Sequence, residues 1–247
     1  MSHLKSAGPL AALAILAGCM AGGPPRVPVE RIDRALVGAP GEAQPSRIVA
    51  TELAFARAAR EDGQWTAFRR YAGPGAMIHG RSGAIPAMSW LQQQSDPAAS
   101  VQWAPRAVWM SCDGALAVSQ GRFRDPEGLV GTFITVWERQ GDGEYKWVYD
   151  SGQPDNPQPA PKPGEEPQEG DIVVTALDAV QGNVADCRST APRTADHVEG
   201  LADATRKSPD GTLAYRWEHT GEGTRGFTDH WLHEGQWQTA LREVWEP

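Results

Sequence analysis

Four long stretches with the composition of β-strands follow one another in the middle of this chain. Short segments rich in Gly, Asp and Pro separate them, such as Asp113-Gly114 and Gly141-Asp142-Gly143, and these residue types favour tight turns. The pattern predicts an antiparallel meander of long strands over residues 101–111, 115–124, 129–139 and 145–150.

The third of these strands carries apolar residues on both of its faces. Alternation along a strand places Phe133 and Trp137 on one face and Ile134 and Val136 on the other. A strand that is apolar on both faces needs covering on both sides, so we expect helices to pack on one face of the sheet.

The residues before the meander favour helices. The first helix is predicted to start at Ser46 and to stop at Gly63, and a second covers residues 64–71. A brief strand over residues 76–79 and a third helical piece after Pro86 complete this region. In the first helix we expect an apolar face with Ile48, Val49, Leu53 and Phe55, and a solvated face with Glu52, Arg57, Arg60 and Glu61.

Three segments of this region carry a family resemblance. They are Glu-Leu-Ala-Phe at 52–55, Asp-Gly-Gln-Trp-Thr-Ala-Phe at 62–68, and Trp-Val-Tyr-Asp-Ser-Gly at 147–152. With leading helices and a following meander, residues 46–152 resemble the nuclear transport factor 2-like superfamily, which includes ketosteroid-isomerase-like and SnoaL-like domains. The resemblance implies an α+β fold in which a cone-shaped, curved antiparallel sheet packs on N-terminal helices around a cavity.

The resemblance also implies a ligand pocket on the inward-facing residues. Enzymes of the superfamily use an Asp or His base in an apolar cavity, together with a tyrosine or an acid that polarises a carbonyl group. His79 and Asp150 could act as such a base, and Tyr71 could act as the polarising group. No residue here matches a known catalytic set, and Asp150 could instead close a turn. The predicted pocket consists of Tyr71, Met77, His79, Trp90, Trp103, Trp137 and Asp150.

A small apolar ligand without a cofactor, or an envelope protein, is therefore the expected partner of this domain. The alternative is a small-molecule isomerase, dehydratase or hydrolase that acts in the cavity. Dimerisation through the outer face of the sheet, which the resemblance also implies, is compatible with either function. The net charge of −8 and the lack of a dense basic cluster exclude binding to nucleic acid through its phosphates.

The N-terminal residues carry a second resemblance. An apolar run from Leu10 to Ala17 is too short to span a bilayer, and it ends at Leu16-Ala17-Gly18-Cys19. This pattern resembles the lipobox of a bacterial lipoprotein signal peptide. It implies removal of residues 1–18 and lipid anchoring of Cys19 on the periplasmic side of the envelope, with Met20 favouring the outer membrane. An ordinary cleaved signal peptide is the alternative.

The composition of the remaining residues predicts a tether, a linker and a C-terminal extension. Residues 19–45 are rich in Gly and Pro and predict a flexible tether, while residues 153–170 hold six prolines and predict an extended linker. Residues 171–247 predict a β-meander extension. Within it, Ser-Pro-Asp-Gly-Thr-Leu-Ala at 208–214 repeats Ser-Cys-Asp-Gly-Ala-Leu-Ala at 111–117.

The cysteines predict one cross-link. With Cys19 assigned to the lipid, Cys112 and Cys187 remain, and we expect them to form a disulfide in an oxidising compartment. Two buried free thiols are the alternative.

The extension is rich in histidine and tryptophan. His219, His230, His233 and Asp229 are candidate metal ligands, but His230 and His233 project to opposite faces of a regular strand, so we expect no metal site. The tryptophans of this segment favour a half-buried sheet face, and an exposed part of it would suit a protein partner or a glycan: Trp217, Trp231, Trp237 and Trp245.

Overall fold

The computed structural model describes residues 42–160, 179–187, 206–220 and 223–247. The first elements are helix α1 (Pro45–Glu61), helix α2 (Gln64–Tyr71), strand β1 (Ala72–Gly80), strand β2 (Gly83–Pro86) and helix α3 (Ala87–Leu91). The remaining strands are β3 (Gln102–Met110), β4 (Leu116–Arg124), β5 (Val130–Arg139), β6 (Tyr145–Pro154), β7 (Gln181–Val184), β8 (Arg206–Lys207), β9 (Leu213–His219), β10 (Arg225–His233) and β11 (Gln236–Trp245). Residues 19–41 of the predicted tether and 161–170 of the predicted linker lie outside the described residues.

Helix α1 buries a different stripe from the one predicted. Ile48, Glu52, Phe55 and Ala59 recur at helical spacing and are at most 1% exposed, whereas Leu53 is 46% exposed. The assignment of Glu52 to the solvated face is wrong. Its carboxyl lies in the buried stripe because three side chains donate hydrogen bonds to it.

Seven strands form the main sheet in the order β2-β1-β6-β5-β4-β3-β7. Strands β3 to β6 are the predicted antiparallel meander, while β1 pairs with β6 and β7 pairs with β3 in parallel. Bulges between Pro105 and Ala107 and between Val136 and Trp137 bend the strands. Strand β7 belongs to the segment that the sequence predicted as part of the C-terminal meander, but it joins the edge of the main sheet.

Both faces of the main sheet are covered, as the apolar residues on both faces of β5 predicted. On the inner face, Trp137 packs with residues of the helices such as Phe55 and Leu91. On the outer face, Ile134 and Val136 belong to a second apolar cluster with residues of strands β9 and β10. The sheet therefore separates two cores.

The second sheet has four antiparallel strands in the order β11-β10-β9-β8. Leu213, Tyr215 and Phe227 of this sheet are at most 2% exposed and pack on the outer face of the main sheet. The fold class predicted from the sequence is confirmed: an α+β fold with a curved antiparallel sheet on N-terminal helices and a β-rich extension.

The repeated segments 111–117 and 208–214 form the same turn twice. Ser111 Oγ donates to Asp113 Oδ1 at 2.6 Å, and Ser208 Oγ donates to Asp210 Oδ1 at the same distance. The glycine after each aspartate has a positive φ, 63° at Gly114 and 64° at Gly211, which favours glycine there.

These two turns also bind each other. The backbone N–H of Asp113 donates to Asp210 Oδ2 at 2.8 Å, and that of Asp210 donates to Asp113 Oδ2 at 3.2 Å. The predicted disulfide between Cys112 and Cys187 is confirmed, with a Cα–Cα distance of 5.1 Å. The reciprocal hydrogen bonds therefore join the two sheets at one end. The disulfide links the segment after β3 to the segment after β7, and both of these strands belong to the main sheet.

Candidate functional site

A cavity of about 250 Å³ lies between the three helices and the inner face of the main sheet. This volume is the share of about eight water molecules in the liquid. Phe55 of α1, Trp65 of α2 and Trp90 of α3 approach it from the helices, and strands β1 and β3–β6 complete it. The space is sufficient for a small organic molecule.

Seven aromatic side chains contribute to the cavity wall. The rings of Trp65 and Trp90 lie 4.9 Å apart with an interplanar angle of 85°, and Phe55 contacts Trp103 in a similar edge-to-face arrangement. Such contacts fix the orientation of each ring against its neighbour. The aromatic wall consists of Phe55, Trp65, Phe68, Trp90, Trp103, Phe123 and Phe133.

Two glycines let phenylalanine rings of the wall lie against the sheet. Gly121 is opposite Phe133, and Gly131 is opposite Phe123, in the β4–β5 pair. A Cβ on Gly121 would lie 2.6 Å from Phe133 Cε1, and one on Gly131 would lie 2.3 Å from Phe123 Cζ. Each ring therefore occupies the space above a glycine and leaves room for the cavity in front of it.

Asp150 places a carboxyl at the floor of the cavity. It is opposite Thr135 in the β5–β6 pair, and Thr135 Oγ1 donates to Asp150 Oδ2 at 2.9 Å. Burial raises the pKa of Asp150 from 3.8 to about 6, and the bond from Thr135 partly offsets this rise. The carboxyl is therefore largely ionised at pH 7 in a mostly apolar site.

Glu52 is a second carboxyl, directly behind the wall. Its Oε1 accepts from Trp103 Nε1 at 2.9 Å, and its Oε2 accepts from Ser119 Oγ at 2.7 Å and from Trp137 Nε1 at 3.0 Å. Burial raises its pKa from 4.5 to about 7, and the Asp150 carboxyl adds to the rise. The sequence pattern did not predict this role, although the position of Glu52 four residues after Ile48 indicated the buried side of the helix.

His79 borders the cavity, but its ring faces the second sheet. Its Nδ1 lies 2.8 Å from Tyr149 Oη and its Nε2 lies 3.2 Å from His219 Nδ1. Burial, with the charges of Arg225 and His219, lowers the pKa of His79 from 6.5 to about 4. With both ring nitrogens engaged, the neutral ring links the two sheets.

The structure brings together four of the seven predicted pocket residues around the cavity: His79, Trp90, Trp103 and Asp150. The other three lie elsewhere. Tyr71 lines a separate surface cavity, Met77 packs in the outer core, and Trp137 is buried in the inner core, where it binds Glu52. Strand alternation explains Met77, because Ile78 takes the inward position beside it.

The C-terminal candidate ligands are not gathered into a metal site. In the described part of the chain, no group of three or more His, Cys, Asp or Glu side chains could hold a metal ion. His219 pairs with His79, while the ring of His233 stacks on Trp231 with centroids 4.5 Å apart. Trp217 is 38% exposed, and Trp245 is buried.

The predicted lipidation site, Cys19, lies outside the described residues. Within those residues, none of the helices has the length and the apolar character needed to cross a bilayer.

The chain has a weak structural similarity to a known protein. The structure of nuclear transport factor 2 from Cryptosporidium parvum matches with a TM-score of 0.36 and 14% sequence identity, over 47% of this chain and 98% of that chain. No family model and no curated protein matches the sequence. The fold class is established by the element order and sheet pairing of the chain itself.

Proposed function

We propose that this chain is a lipid-anchored envelope protein that binds a small, largely apolar molecule in the cavity beneath its three helices. The cavity is the observation that carries the proposal, because seven aromatic side chains and the Asp150 carboxyl converge on it. Small-molecule sites are typically concave and mostly apolar, with a few polar groups that orient the ligand.

The aromatic wall supports binding because its rings are already held in place. Phe55 contacts Phe68 at 4.8 Å and Trp103 at 4.9 Å, and the glycines opposite Phe123 and Phe133 leave space for these rings. A preformed wall loses little conformational entropy when a ligand enters.

The anchoring part of the proposal rests on the Leu16-Ala17-Gly18-Cys19 motif. The disulfide between Cys112 and Cys187 supports it, because stable disulfides are typical of exported proteins. Lipid on Cys19 would hold the protein on the periplasmic side of the envelope, and Met20 favours the outer membrane.

Native mass spectrometry of the full-length protein, purified from its own envelope, tests the cavity. We expect a reproducible additional mass of small-molecule size. Val101→Phe places a larger side chain in the cavity wall and should abolish the additional mass, whereas Val184→Phe, at an exposed site on β7, should retain it. Equal retention by both variants, or no additional mass in the wild type, would overturn the binding proposal.

Labelling with a palmitate analogue tests the anchor. The wild type should take up the label and sediment with membranes, while Cys19→Ser should do neither. A wild-type protein that is exported without the label would support an ordinary cleaved signal peptide.

A second candidate function is proton transfer catalysed by Asp150, favoured by the raised pKa of this carboxyl at the cavity floor. An isomerase or dehydratase of a small carbonyl compound would use it as a general base. Hydrogen–deuterium exchange into a panel of small ketones tests this activity, and Asp150→Asn should abolish any exchange that the wild type catalyses.

A further inference from the structure

Among the described residues that line the cavity, the charged side chain is a negative one. Asp150 supplies a carboxyl to the floor, and neither lysine nor arginine is present among the described lining residues. Thr135 donates to one carboxyl oxygen of Asp150, Oδ2. The nearby basic ring, that of His79, stays neutral because burial and the charges of Arg225 and His219 lower its pKa to about 4.

The rings around this carboxyl are presented at several angles. Trp65 meets Trp90 at 85° and Phe68 at 67°, while Phe55 meets Trp103 at 72°. Because the rings differ in orientation by these angles, both ring faces and ring edges line the cavity. The faces carry the negative side of the ring quadrupole, which attracts a cation.

We infer that the cavity selects a small organic cation, in which an alkylated ammonium group contacts the faces of the tryptophan and phenylalanine rings and pairs with the Asp150 carboxylate. The inference rests on the proposed function and names the chemical class of its ligand. An alkylated ammonium is weakly hydrated compared with a metal ion, so an aromatic wall can replace its water.

The groups around Asp150 support a positively charged ligand. Glu52 lies behind Trp103, where its side chain accepts three hydrogen bonds, and a carboxyl group adds no positive charge near Asp150. Arg225 approaches from the second sheet, where it donates to Ser151 Oγ and to the carbonyl oxygen of Gly152 and lies over the ring of Trp245. Ser151 and Gly152 line the cavity, but the guanidinium of Arg225 is not part of the lining. A cation in the cavity would therefore meet a carboxylate without a basic side chain beside it among the described lining residues.

Two probes of the same shape separate charge from apolar contact: choline and its neutral isostere 3,3-dimethylbutan-1-ol. Both are titrated into the full-length protein in nanodiscs of zwitterionic lipid, with empty nanodiscs as the blank, and the dissociation constants are measured by calorimetry. We expect choline to bind at least about tenfold more tightly than the alcohol. Asp150→Asn should reduce this preference, because the ring faces remain but the carboxylate is lost, and it should leave the affinity for the alcohol unchanged.

Asp142→Asn is the matched control, because Asp142 is an exposed carboxylate in the β5–β6 turn, outside this cavity. It should retain the wild-type preference for choline. Unchanged binding of the alcohol by Asp150→Asn also shows that the variant keeps a folded cavity, since Asn can still accept the hydrogen bond from Thr135.

The outcomes distinguish the inference from the proposed function. Equal affinity for both probes in the wild type, or a choline preference that is undiminished in Asp150→Asn, would overturn the inference and leave small-molecule binding intact. If neither probe binds, the inference is overturned as well. Native mass spectrometry of the wild type and of Val101→Phe then shows separately whether the cavity holds a neutral ligand or none.

Discussion

Asp229 is a buried carboxyl that costs the folded protein free energy. It is fully buried on β10, and neither of its side-chain oxygens has a partner at hydrogen-bond geometry among the described residues, although the adjacent backbone N–H of His230 partly offsets the effect of burial. Burial raises its pKa well above the usual range. We expect Asp229→Leu to raise the free energy of unfolding at pH 8 by about 1–3 kcal/mol, because it removes an unpaired polar group from an apolar layer.

Urea denaturation measures this gain. Asp229→Asn, which keeps a buried polar group without a charge, should give a smaller gain than Asp229→Leu. Destabilisation by the leucine variant would contradict the assignment of Asp229 as an unpaired group.

Glu52 makes stability depend on pH in a defined direction. Its pKa is 4.5 in the unfolded chain and about 7 in the folded protein, so its contribution to stability is greatest below pH 4.5 and is lost as the pH rises through 7. The loss is worth about 3 kcal/mol. Since glutamine does not titrate, the unfolding free energy of Glu52→Gln should gain about 3 kcal/mol relative to the wild type between pH 4 and pH 8.

Urea titrations at four pH values across this range test the prediction. Glu61→Gln, at the exposed end of α1, is the control and should follow the wild type at every pH. Parallel curves for the wild type and Glu52→Gln would show that Glu52 does not carry a raised pKa.

The paired turns are the structural unit that joins the two sheets. Asp113 and Asp210 each accept a hydrogen bond from the backbone N–H of the other, and each also accepts bonds within its own turn. We expect Asp113→Ala and Asp210→Ala each to lower the free energy of unfolding by about 1–3 kcal/mol. Each variant removes a different bond between the turns, because the donors are backbone N–H groups that alanine retains. The double variant should lose less than the sum, by at least about 0.5 kcal/mol, because loss of one bond already loosens the contact that the other bond stabilises.

A double-mutant cycle of urea denaturation gives this coupling energy directly. Additive losses would contradict this cooperation and show that the two bonds between the turns act independently.

The disulfide acts on the whole molecule. Cys112 and Cys187 are 75 residues apart, and closing a loop of this length in the unfolded chain stabilises the folded state by about 4 kcal/mol in the chain-entropy model. The Cys112→Ala/Cys187→Ala variant should lose free energy of unfolding of this order, and reduction of the wild type should have the same effect. A loss below about 1 kcal/mol would show that the reduced chain retains structure that already holds these segments together.

The sequence predicted the elements well where local periodicity decides structure. The α2 boundaries agree with the prediction, as do those of β4 and β5 to within one residue, because turn residues such as Gly114 and Gly128 have positive φ and interrupt the strands. The repeated turn was also detectable, since the Asp-Gly step and its preceding serine directly form the hydrogen bonds observed.

The candidate site was predicted less completely. Trp90, Trp103 and Asp150 face the cavity, and their elements were predicted correctly. Phe123 and Phe133 form part of the wall only because Gly131 and Gly121 lie opposite them on the neighbouring strand. That pairing depends on strand register, which no local pattern specifies.

The sequence by itself determined the order of helices, strands and turns and the candidate cysteine pair, because these depend on periodicity, turn chemistry and composition. Only the tertiary structure decided which core each face meets. Glu52 is buried because Trp103, Ser119 and Trp137 converge on it from other elements, and His79 faces His219, which lies 140 residues further along the chain. A side chain's partners come from distant segments, so its burial and its pKa are properties of the folded molecule.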